Sequence, residues 1–330
     1  MHWIDGHLDL AYLAICGRDL TKPVDDPAVG CISLPAMRDA QINLALGTIF
    51  TDPAPNHPAS YAGSEDVAGA KAAGRAQIAV YEKLAAAGEI TIVRNAGELD
   101  QPGAEPKIII LMEGADPIGS PGDLPSWHEA GVRMIGLAWA AGSRYAGGNN
   151  SEGGLTAPGR ELVSAMDELA IIHDASHLND ASFDDLIEIA QGRIVATHSN
   201  CRALTKDSQR MLRDDQIKAI AARDGIVGLN LYGPQLADGR RATIADCVAH
   251  VQRVCELMGH RRGTALGSDM DGGFAPPQLP EGLDHPAKLV ALAEALRDAG
   301  WSDVEIAGFC RGNWMRFLRE AIRAAPVRKR

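Results

Sequence analysis

Short apolar runs alternate with longer amphipathic segments along the whole chain. Eight runs are rich in aliphatic and β-branched residues: His2–Asp9, Ile42–Phe50, Lys107–Glu113, Val132–Trp139, Ile171–Ser176, Arg193–His198, Gly225–Leu231 and Thr264–Asp269. The run KIIILMEG at 107–114 is apolar on both faces, which is typical of parallel strands that are covered by helices. The pattern therefore predicts eight parallel strands.

The segments between these runs have the spacing of helices. Helical periodicity covers 64–88, 160–170, 214–223 and 286–299. Three residue pairs have the spacing of a capping box, namely Ser182 with Asp185, Thr243 with Asp246, and Ser302 with Glu305. Strands that alternate with helices, without a Gly/Pro-rich linker, favour an α/β fold with a single (β/α)8 TIM-type barrel over residues 1–330, and they disfavour a doubly wound sheet.

Side chains that can bind metal ions stand at the ends of five of the runs. They are His7, Asp9, Glu113, His177, His198 and Asp269. In a barrel of this kind the carboxyl ends of the strands meet at one mouth, where catalytic residues gather. Residues two apart in a strand point to the same face, so His7 and Asp9 can reach one ion. A single histidine at such a place is usually structural, and it is the combination that indicates a metal site.

The motifs around these residues resemble those of the membrane (renal) dipeptidase family, peptidase family M19 of the amidohydrolase superfamily. The resemblance is carried by DGHLDL (5–10), LMEGAD (111–116), DASH (174–177), THSN (197–200) and GSDMDG (267–272), with weaker similarity in ISLPAMRDAQINLALGTIF (32–50) and GNWMRFL (312–318). Each motif is short and unspecific by itself. Their order over essentially the whole chain is specific.

The resemblance implies a binuclear zinc centre with two ions per chain. His7 and Asp9 would bind one ion, His177 and His198 would bind the other, and Glu113 would bridge both. Imidazole and carboxylate ligands suit a catalytic zinc ion that keeps a position open for water. Hydroxide held by the two metals would attack an amide carbonyl whose oxygen one metal polarises.

Further residues follow from the same resemblance. Asp269 would take the proton of the nucleophile and return it to the leaving amine, and Asp271, two positions on, could face the same side. Arg210 in QRMLRDD fits the family position that binds a substrate carboxylate, for which a guanidinium is suited. The alternative for Arg210 is an ordinary solvated residue at the start of a helix.

Trp139 departs from the family pattern. It lies in GLAWAAGSRYAGGNN, where the family usually has a histidine that contacts the substrate. A tryptophan offers one neutral N–H donor and cannot donate as an imidazolium to a developing oxyanion. Trp139 either contacts the substrate or fills the barrel mouth as apolar packing. Arg144, Tyr145 or Asn149 of the same loop could supply the missing polar contact.

Composition narrows the classes of partner. The net charge is −11, from 32 basic and 43 acidic residues, and the basic residues cluster only at 328–330, so no stripe exists for a nucleic acid backbone. We find neither 18 consecutive apolar residues nor a signal peptide, which predicts no membrane span and a cytoplasmic location. The six cysteines form no CxxC pair, which favours reduced, buried thiols. Seven further histidines are interpreted as structural or surface residues: His2, His57, His128, His173, His250, His260 and His285.

The sequence therefore predicts a zinc-dependent, dipeptidase-like hydrolase that cleaves the amide bond of a dipeptide or a similar small carboxylate-bearing substrate. One alternative is the same metal site acting on an N-acyl amino acid, a lactone or an ester, because Trp139 replaces the histidine. A second alternative is a non-catalytic protein that binds metal or a small molecule. The resemblance suggests a homodimer, although no feature of the sequence shows one.

Overall fold

The computed structural model describes residues 1–53 and 57–322, and the basic cluster at 328–330 lies outside these residues. The strands are β1 (Trp3–Leu8), β2 (Ile42–Phe50), β3 (Thr91–Ile92), β4 (Lys107–Glu113), β5 (Val132–Gly136), β6 (Ile172–Asp174), β7 (Ile194–Val195), β8 (Val227–Leu229) and β9 (Thr264–Leu266). The α-helices are α1 (Leu10–Ile15), α2 (Leu34–Asp39), α3 (Val67–Ala86), α4 (Ala96–Asp100), α5 (Leu124–Ala130), α6 (Ala157–Glu168), α7 (Asp180–Ile189), α8 (Asp214–Ala222), α9 (Ile244–Met258), α10 (Leu289–Asp298), α11 (Asp303–Ala307) and α12 (Asn313–Ala321). One turn of π-helix, Gly308–Gly312, connects α11 to α12.

The strands form a curled parallel sheet that closes on itself. Six strands pair in the order β1-β2-β4-β5-β6-β7, and the short β3 pairs with the start of β4. A parallel bridge between Ala196 and Val227 leads from β7 to β8, which pairs with β9. The amide of Asp269 then donates to the carbonyl of His7 at 3.2 Å, which joins the chain after β9 to β1. The predicted (β/α)8 barrel is confirmed.

Most of the predicted strands are longer than the strands in the structure. β6 to β9 contain only two or three residues each, so His177, His198 and Asp269 lie in the loops that follow them. His177 has a φ of 65° and Asp269 a φ of 59°. This left-handed conformation is uncommon outside glycine and ends the extended ladder. The chemistry-bearing residues therefore stand where the chain leaves the sheet.

The helix predictions are mostly confirmed. Ser302 begins its helix with a capping box, and Thr243 is the N-cap of α9, where its amide and hydroxyl both donate to the carboxylate of Asp246. The capping box predicted at Ser182 is wrong, because α7 begins earlier, at Asp180. Asn179 is its N-cap, and the side chain of Asn179 accepts a hydrogen bond from the Ser182 amide at 2.8 Å. Asparagine is among the strongest N-cap residues, and here Asn179 is the N-cap in place of the predicted Ser182.

The alternation of side chains in β4 shows how the barrel positions a buried carboxylate. Ile108, Ile110 and Met112 belong to the apolar layer between the sheet and the helices. Ile109 and Leu111 belong to the inner cluster of the barrel, together with Trp314 of α12. Glu113 follows Ile109 and Leu111 at a spacing of two residues, so it points inward at the carboxyl end of the strand.

We searched the helices of the described residues for a membrane span. None of them is both long enough and apolar enough to cross a bilayer.

Candidate metal centre

The loops after the strands surround a cavity of about 340 Å³. Seven of the predicted site residues line it, namely Asp9, Glu113, Trp139, His177, His198, Arg210 and Asp269. His7 is 1% exposed and lies against this cluster, with its ring centroid 3.6 Å from that of His198. The residues come from β1, β4 and the loops after β5, β6, β7 and β9, so the fold brings together positions far apart in sequence.

The histidines and carboxylates approach one another closely. Nε2 of His7 lies 3.7 Å from Oδ1 of Asp9, 3.7 Å from Oε2 of Glu113 and 4.0 Å from Oδ1 of Asp269. Oε1 of Glu113 lies 3.1 Å from Nε2 of His177 and 3.4 Å from Nε2 of His198. These two histidine nitrogens are 3.0 Å apart. Glu113 thus stands between the two groups of ligands that the sequence suggests.

The donor set fits a metal ion. One ligand atom each from His7, Glu113 and His198 lie within 4.8 Å of one another, and the same holds for His7, Asp9 and Asp269. Oε1 of Glu113, which faces His177 and His198, is buried and has no hydrogen-bond partner among the described residues. Such buried atoms are costly unless something binds them. Imidazole and carboxylate groups at these distances are the ligands that zinc prefers.

Burial shifts the protonation of the whole cluster. It raises the pKa of Asp9 to about 6, and together with the nearby Asp9 carboxylate it raises the pKa of Glu113 and Asp269 well above the usual range. Burial also lowers the pKa of His7 to about 3 and holds the pKa of His177 and His198 well below the usual value. Neutral imidazole is the form that binds metals, and a cation would offset the repulsion among the carboxylates.

Two of the histidines are oriented through their second ring nitrogen. Nδ1 of His177 lies 3.0 Å from Oδ1 of Asn149. Nδ1 of His198 lies 2.9 Å from the Thr197 hydroxyl, which donates to Asp174 at 2.6 Å. Such partners fix the ring and leave Nε2 for a metal. Asn149, proposed from the sequence as a substrate contact, is therefore placed as a support of His177.

The carboxylates have supports as well. The Thr48 hydroxyl donates to Oδ1 of Asp9. The side-chain amide of Asn230 donates to Oδ2 of Asp269 at 2.9 Å, and Asn230 is fully buried in the loop after β8. Asn230 thereby holds one oxygen of Asp269 and leaves Oδ1 on the side of His7.

Arg210 is buried beside the cluster. It is 7% exposed, and its two terminal nitrogens donate to Oγ of Ser199 at 3.0 Å and to the carbonyl of His198 at 2.8 Å. Its Nε has no hydrogen-bond partner among the described residues. Helix α8 begins only at Asp214, so the interpretation of Arg210 as a solvated residue at a helix start is wrong. The structure instead places a buried cation on the cavity wall.

The structure brings Trp139 to the cavity but not Arg144 or Tyr145. The ring centroid of Trp139 lies 5.1 Å from that of Phe50 and 6.0 Å from that of His177. Nε of Arg144 donates to Oδ1 of Asp116 at 3.1 Å, and the Tyr145 hydroxyl donates to the carbonyl of Ile118. Neither of these two side chains lines the cavity. Both are held by the segment after β4 and are turned away from the site.

Asp271 is also placed away from the cavity. Its carboxylate accepts hydrogen bonds from the amides of Cys31 and Ile32, each at 2.8 Å, and from Arg18. These contacts tie the loop after β9 to the segment that precedes α2. The suggestion that Asp271 faces the same side as Asp269 is therefore wrong, because both residues have a positive φ and the chain turns sharply between them.

Sequence reasoning missed part of the cavity wall. The additional lining side chains are Tyr12, Phe50, Asp52, His57, Tyr232, Gln235 and Phe274. The interpretation of His57 as a structural or surface residue is wrong in this respect. Most of these residues follow a predicted strand closely, and that position was the available signal, because loops after the strands build the mouth of such a barrel.

Comparisons with known proteins agree with this site. The model of the membrane dipeptidase family, peptidase family M19, matches residues 1–329. A Klebsiella pneumoniae protein, described as an uncharacterized protein in the pqqA 5' region, is 33% identical over 261 residues, which are 74% of this chain and 94% of that protein.

Solved structures give the same result. The crystal structure of dipeptidase AC, a metallopeptidase of family M19, has 28% identity and a TM-score of 0.84 over 98% of this chain and 99% of that one. A Rhodobacter sphaeroides metallopeptidase, crystallised with a phosphinate mimic of the dipeptide L-Ala-D-Ala, has 27% identity and a TM-score of 0.84 over the same shares of the two chains. The chain belongs to the membrane dipeptidase family, and like that family it is a metal-dependent hydrolase.

Proposed function

We propose that this enzyme uses two zinc ions to cleave the amide bond of a dipeptide or a similar small substrate with a free carboxylate. The observation that carries the proposal is the convergence of three histidines and three carboxylates beside Arg210, with no side chain of the six more than 13% exposed. The cavity of about 340 Å³ lies at the small end of the range of ligand sites. Its size suits a substrate as small as a dipeptide more than it suits a long peptide.

The donor set divides into two halves that share one residue. His7 and Asp9 would hold one zinc ion and His177 and His198 the other, with Glu113 between them. When bound, zinc lowers the pKa of water toward neutrality and polarises the carbonyl group that is attacked. The second-nitrogen contacts of His177 and His198 keep both rings in the orientation that such binding needs.

Asp269 moves the proton in this proposal. Burial and the neighbouring carboxylate of Asp9 raise its pKa well above the usual range, which favours the uptake of a proton from the nucleophile. Asn230 fixes one oxygen, and the other can accept a proton from the nucleophilic water. Asp269 then donates that proton to the leaving amine.

Arg210 recognises the substrate carboxylate in this proposal. Burial strengthens its interaction with an anion, because little water screens the charge. Two of its nitrogens are already bound to Ser199 and to the carbonyl of His198, which fixes the guanidinium plane. A positioned arginine pairs with a carboxylate more selectively than a lysine would.

A second substrate class is favoured by Trp139. Its apolar ring lines the cavity where an imidazole could have contacted the amide. The same metal site would then act on an N-acyl amino acid, a lactone or an ester. A purely binding role is less consistent with the site, since Asp269 and Asn230 form a proton-transfer group that binding alone does not require.

The test combines elemental analysis with hydrolysis of a substrate panel. The purified protein is assayed with and without a chelator on L-L and L-D dipeptides, N-acyl amino acids, lactones and esters. About two zinc ions per chain and chelator-sensitive cleavage of a dipeptide are expected. Two zinc ions with cleavage of only the other acyl substrates would support the second class. A protein that binds no metal would contradict both.

A further inference from the structure

An aromatic wall covers the cavity above β1, β2 and β5. It consists of Tyr12, Phe50, His57 and Trp139, all of which line the cavity. The rings of Tyr12 and His57 are stacked, with centroids 4.9 Å apart and planes 11° apart. Phe50 lies 5.4 Å from Tyr12 and 5.1 Å from Trp139, edge to face in both cases. The wall is therefore a connected unit beside the metal ligands.

The hydrogen bonds within this wall have a fixed direction. The amide of Ala59 donates to Nδ1 of His57 at 3.2 Å. Because a backbone amide can only donate, Nδ1 carries a lone pair and the proton of the neutral ring is on Nε2. Nε2 of His57 is hydrogen-bonded to the Tyr12 hydroxyl, so His57 donates and the phenol oxygen accepts. The proton of the Tyr12 hydroxyl then points to another acceptor, which is either the neighbouring Cys16 thiol or an atom of a molecule in the cavity.

The environment keeps that proton on Tyr12. Burial, followed by the neighbouring Cys16 thiol and the carboxylates of Asp9 and Asp52, raises the pKa of Tyr12 above its usual value. Tyr12 stands three residues after Asp9, in α1, which fixes its ring near a predicted metal ligand. A neutral hydroxyl with a second hydrogen bond at its oxygen is a preorganised donor, and the second bond also polarises it.

We propose that the Tyr12 hydroxyl donates a hydrogen bond to the acyl oxygen of the substrate as negative charge develops on that oxygen. His57 is the positioning residue: it donates a hydrogen bond to the phenol oxygen of Tyr12, so the hydroxyl proton of Tyr12 points away from His57. The proton stays on Tyr12 throughout, so no bond to it is broken. The inference rests on the proposed acyl hydrolysis and adds to it a neutral hydrogen-bond donor in a cavity where Trp139 stands in place of the family's histidine.

The experiment uses zinc-loaded Tyr12→Phe, which keeps the ring and its stacking and removes only the hydroxyl. For the best substrate of the panel, kcat should fall about 10²- to 10³-fold, as for other single oxyanion donors, with KM changed by less than about threefold because the donor acts in the transition state. A phosphinate dipeptide analogue, whose tetrahedral oxygens resemble that state, should bind at least about tenfold more weakly in calorimetry. The zinc content should be unchanged.

Variants of His57 test the positioning role. His57→Phe keeps an aromatic ring without the donor and should lower kcat by about fivefold, since the phenol oxygen loses one hydrogen bond. His57→Gln, whose side-chain amide can still donate, should recover part of that loss. Tyr145→Phe is the matched control, because the Tyr145 hydroxyl donates to the carbonyl of Ile118 outside the cavity. We expect its kcat to equal that of the wild type.

The outcomes separate this inference from the proposed function. Unchanged kcat and phosphinate affinity in Tyr12→Phe, with an active wild type, would overturn the Tyr12 role alone. A loss of kcat accompanied by an equal loss of zinc would also overturn it, because Tyr12 would then support the metal site. A zinc-loaded wild type that neither cleaves an acyl substrate nor binds the phosphinate would overturn both proposals. If Tyr12→Phe does not fold, equal rates in His57→Phe and His57→Gln would overturn the inference.

Discussion

The two ends of the barrel carry cavities that differ in size and in chemistry. The mouth, at the carboxyl ends of the strands, encloses about 340 Å³. A cavity of about 830 Å³ lies at the opposite end, against residues that precede β1 and β9 and against the π-helical turn. Among the described residues, clusters of three or more metal-ligating groups occur at the mouth, and none occurs at the larger cavity.

Charged groups behave differently at the two ends. At the larger cavity Arg261 pairs with Glu305 at 2.6 Å, and both side chains are about one third exposed. Such pairs are ordinary surface interactions of small energy. At the mouth, Asp9, Glu113 and Asp269 are desolvated together, and burial raises the pKa of each. Buried carboxylates with raised pKa values that share one cavity indicate a functional site.

The largest expected effect comes from the residue that joins the two ligand groups. Glu113→Gln keeps the shape of the side chain but removes the charge between His7, His177 and His198. We expect bound zinc to fall below two ions per chain and kcat/KM to fall by at least about 10⁴-fold, a loss of more than about 5 kcal/mol of transition-state stabilisation. Elemental analysis and steady-state kinetics measure both. Full zinc content together with wild-type activity would refute a bridging role.

Asp269→Asn is expected to separate metal binding from proton transfer. Because Asn230 can still hold the side chain, the zinc content should stay near that of the wild type. The rate should fall by about 10²- to 10⁴-fold, the usual contribution of a positioned general base. If kcat is retained, the proton is carried by another group at the mouth.

The pH dependence of stability gives a smaller effect with a definite sign. In the metal-free protein the pKa values of Glu113 and Asp269 are raised, so the folded state binds more protons than the unfolded state. Its free energy of unfolding then decreases as pH rises toward those raised values. The buried histidines act in the opposite sense, because their pKa values are lowered, but only below their ordinary value of about 6.5.

Above pH 6.5, therefore, the histidines no longer oppose the effect of the carboxylates on stability. The unfolding temperature of chelator-treated protein should fall by a few degrees between pH 6.5 and 8.5, at up to about 1.4 kcal/mol per pH unit for each proton released. The zinc-loaded protein should change much less, because the metal compensates the carboxylates. Circular dichroism measures both, and a metal-free protein that becomes more stable over this range would contradict the assignment.

The residues in a strand or shortly after its carboxyl end could be predicted from the sequence, because the ends of the strands determine where these residues lie. In β4 the alternation that buries Ile109 and Leu111 also turns Glu113 inward, and the parallel order of the strands brings its neighbours to the same mouth. The alternation of side chains within a strand and the parallel arrangement of the strands thus place these residues at the same end of the barrel. This is why the ligand cluster could be predicted from short motifs spread over the chain.

Residues farther along the loops could not be predicted in the same way, because tertiary contacts decide where their side chains point. Arg144 has the right chemistry for a substrate contact, but Asp116 binds its guanidinium and its main-chain amide and holds it elsewhere. His57 has no motif around it and reaches the cavity through its stacking on Tyr12. Neither contact leaves a periodic pattern or a characteristic spacing in the sequence, so neither could be predicted before the fold was known.

The smallest expected effect lies at the other end of the barrel, and it tests whether cavity size has any bearing on function. Val304 lines the larger cavity and is 82% exposed. Val304→Ser removes apolar surface there without disturbing a buried group, so the free energy of unfolding should change by no more than about 0.5 kcal/mol. We expect kcat/KM and zinc content to match the wild type, because no contact connects this side chain to the ligand cluster among the described residues. A change in kcat/KM of tenfold or more would mean that the two ends of the barrel are energetically coupled. The larger cavity would then contribute to catalysis and could not be treated as an independent surface feature.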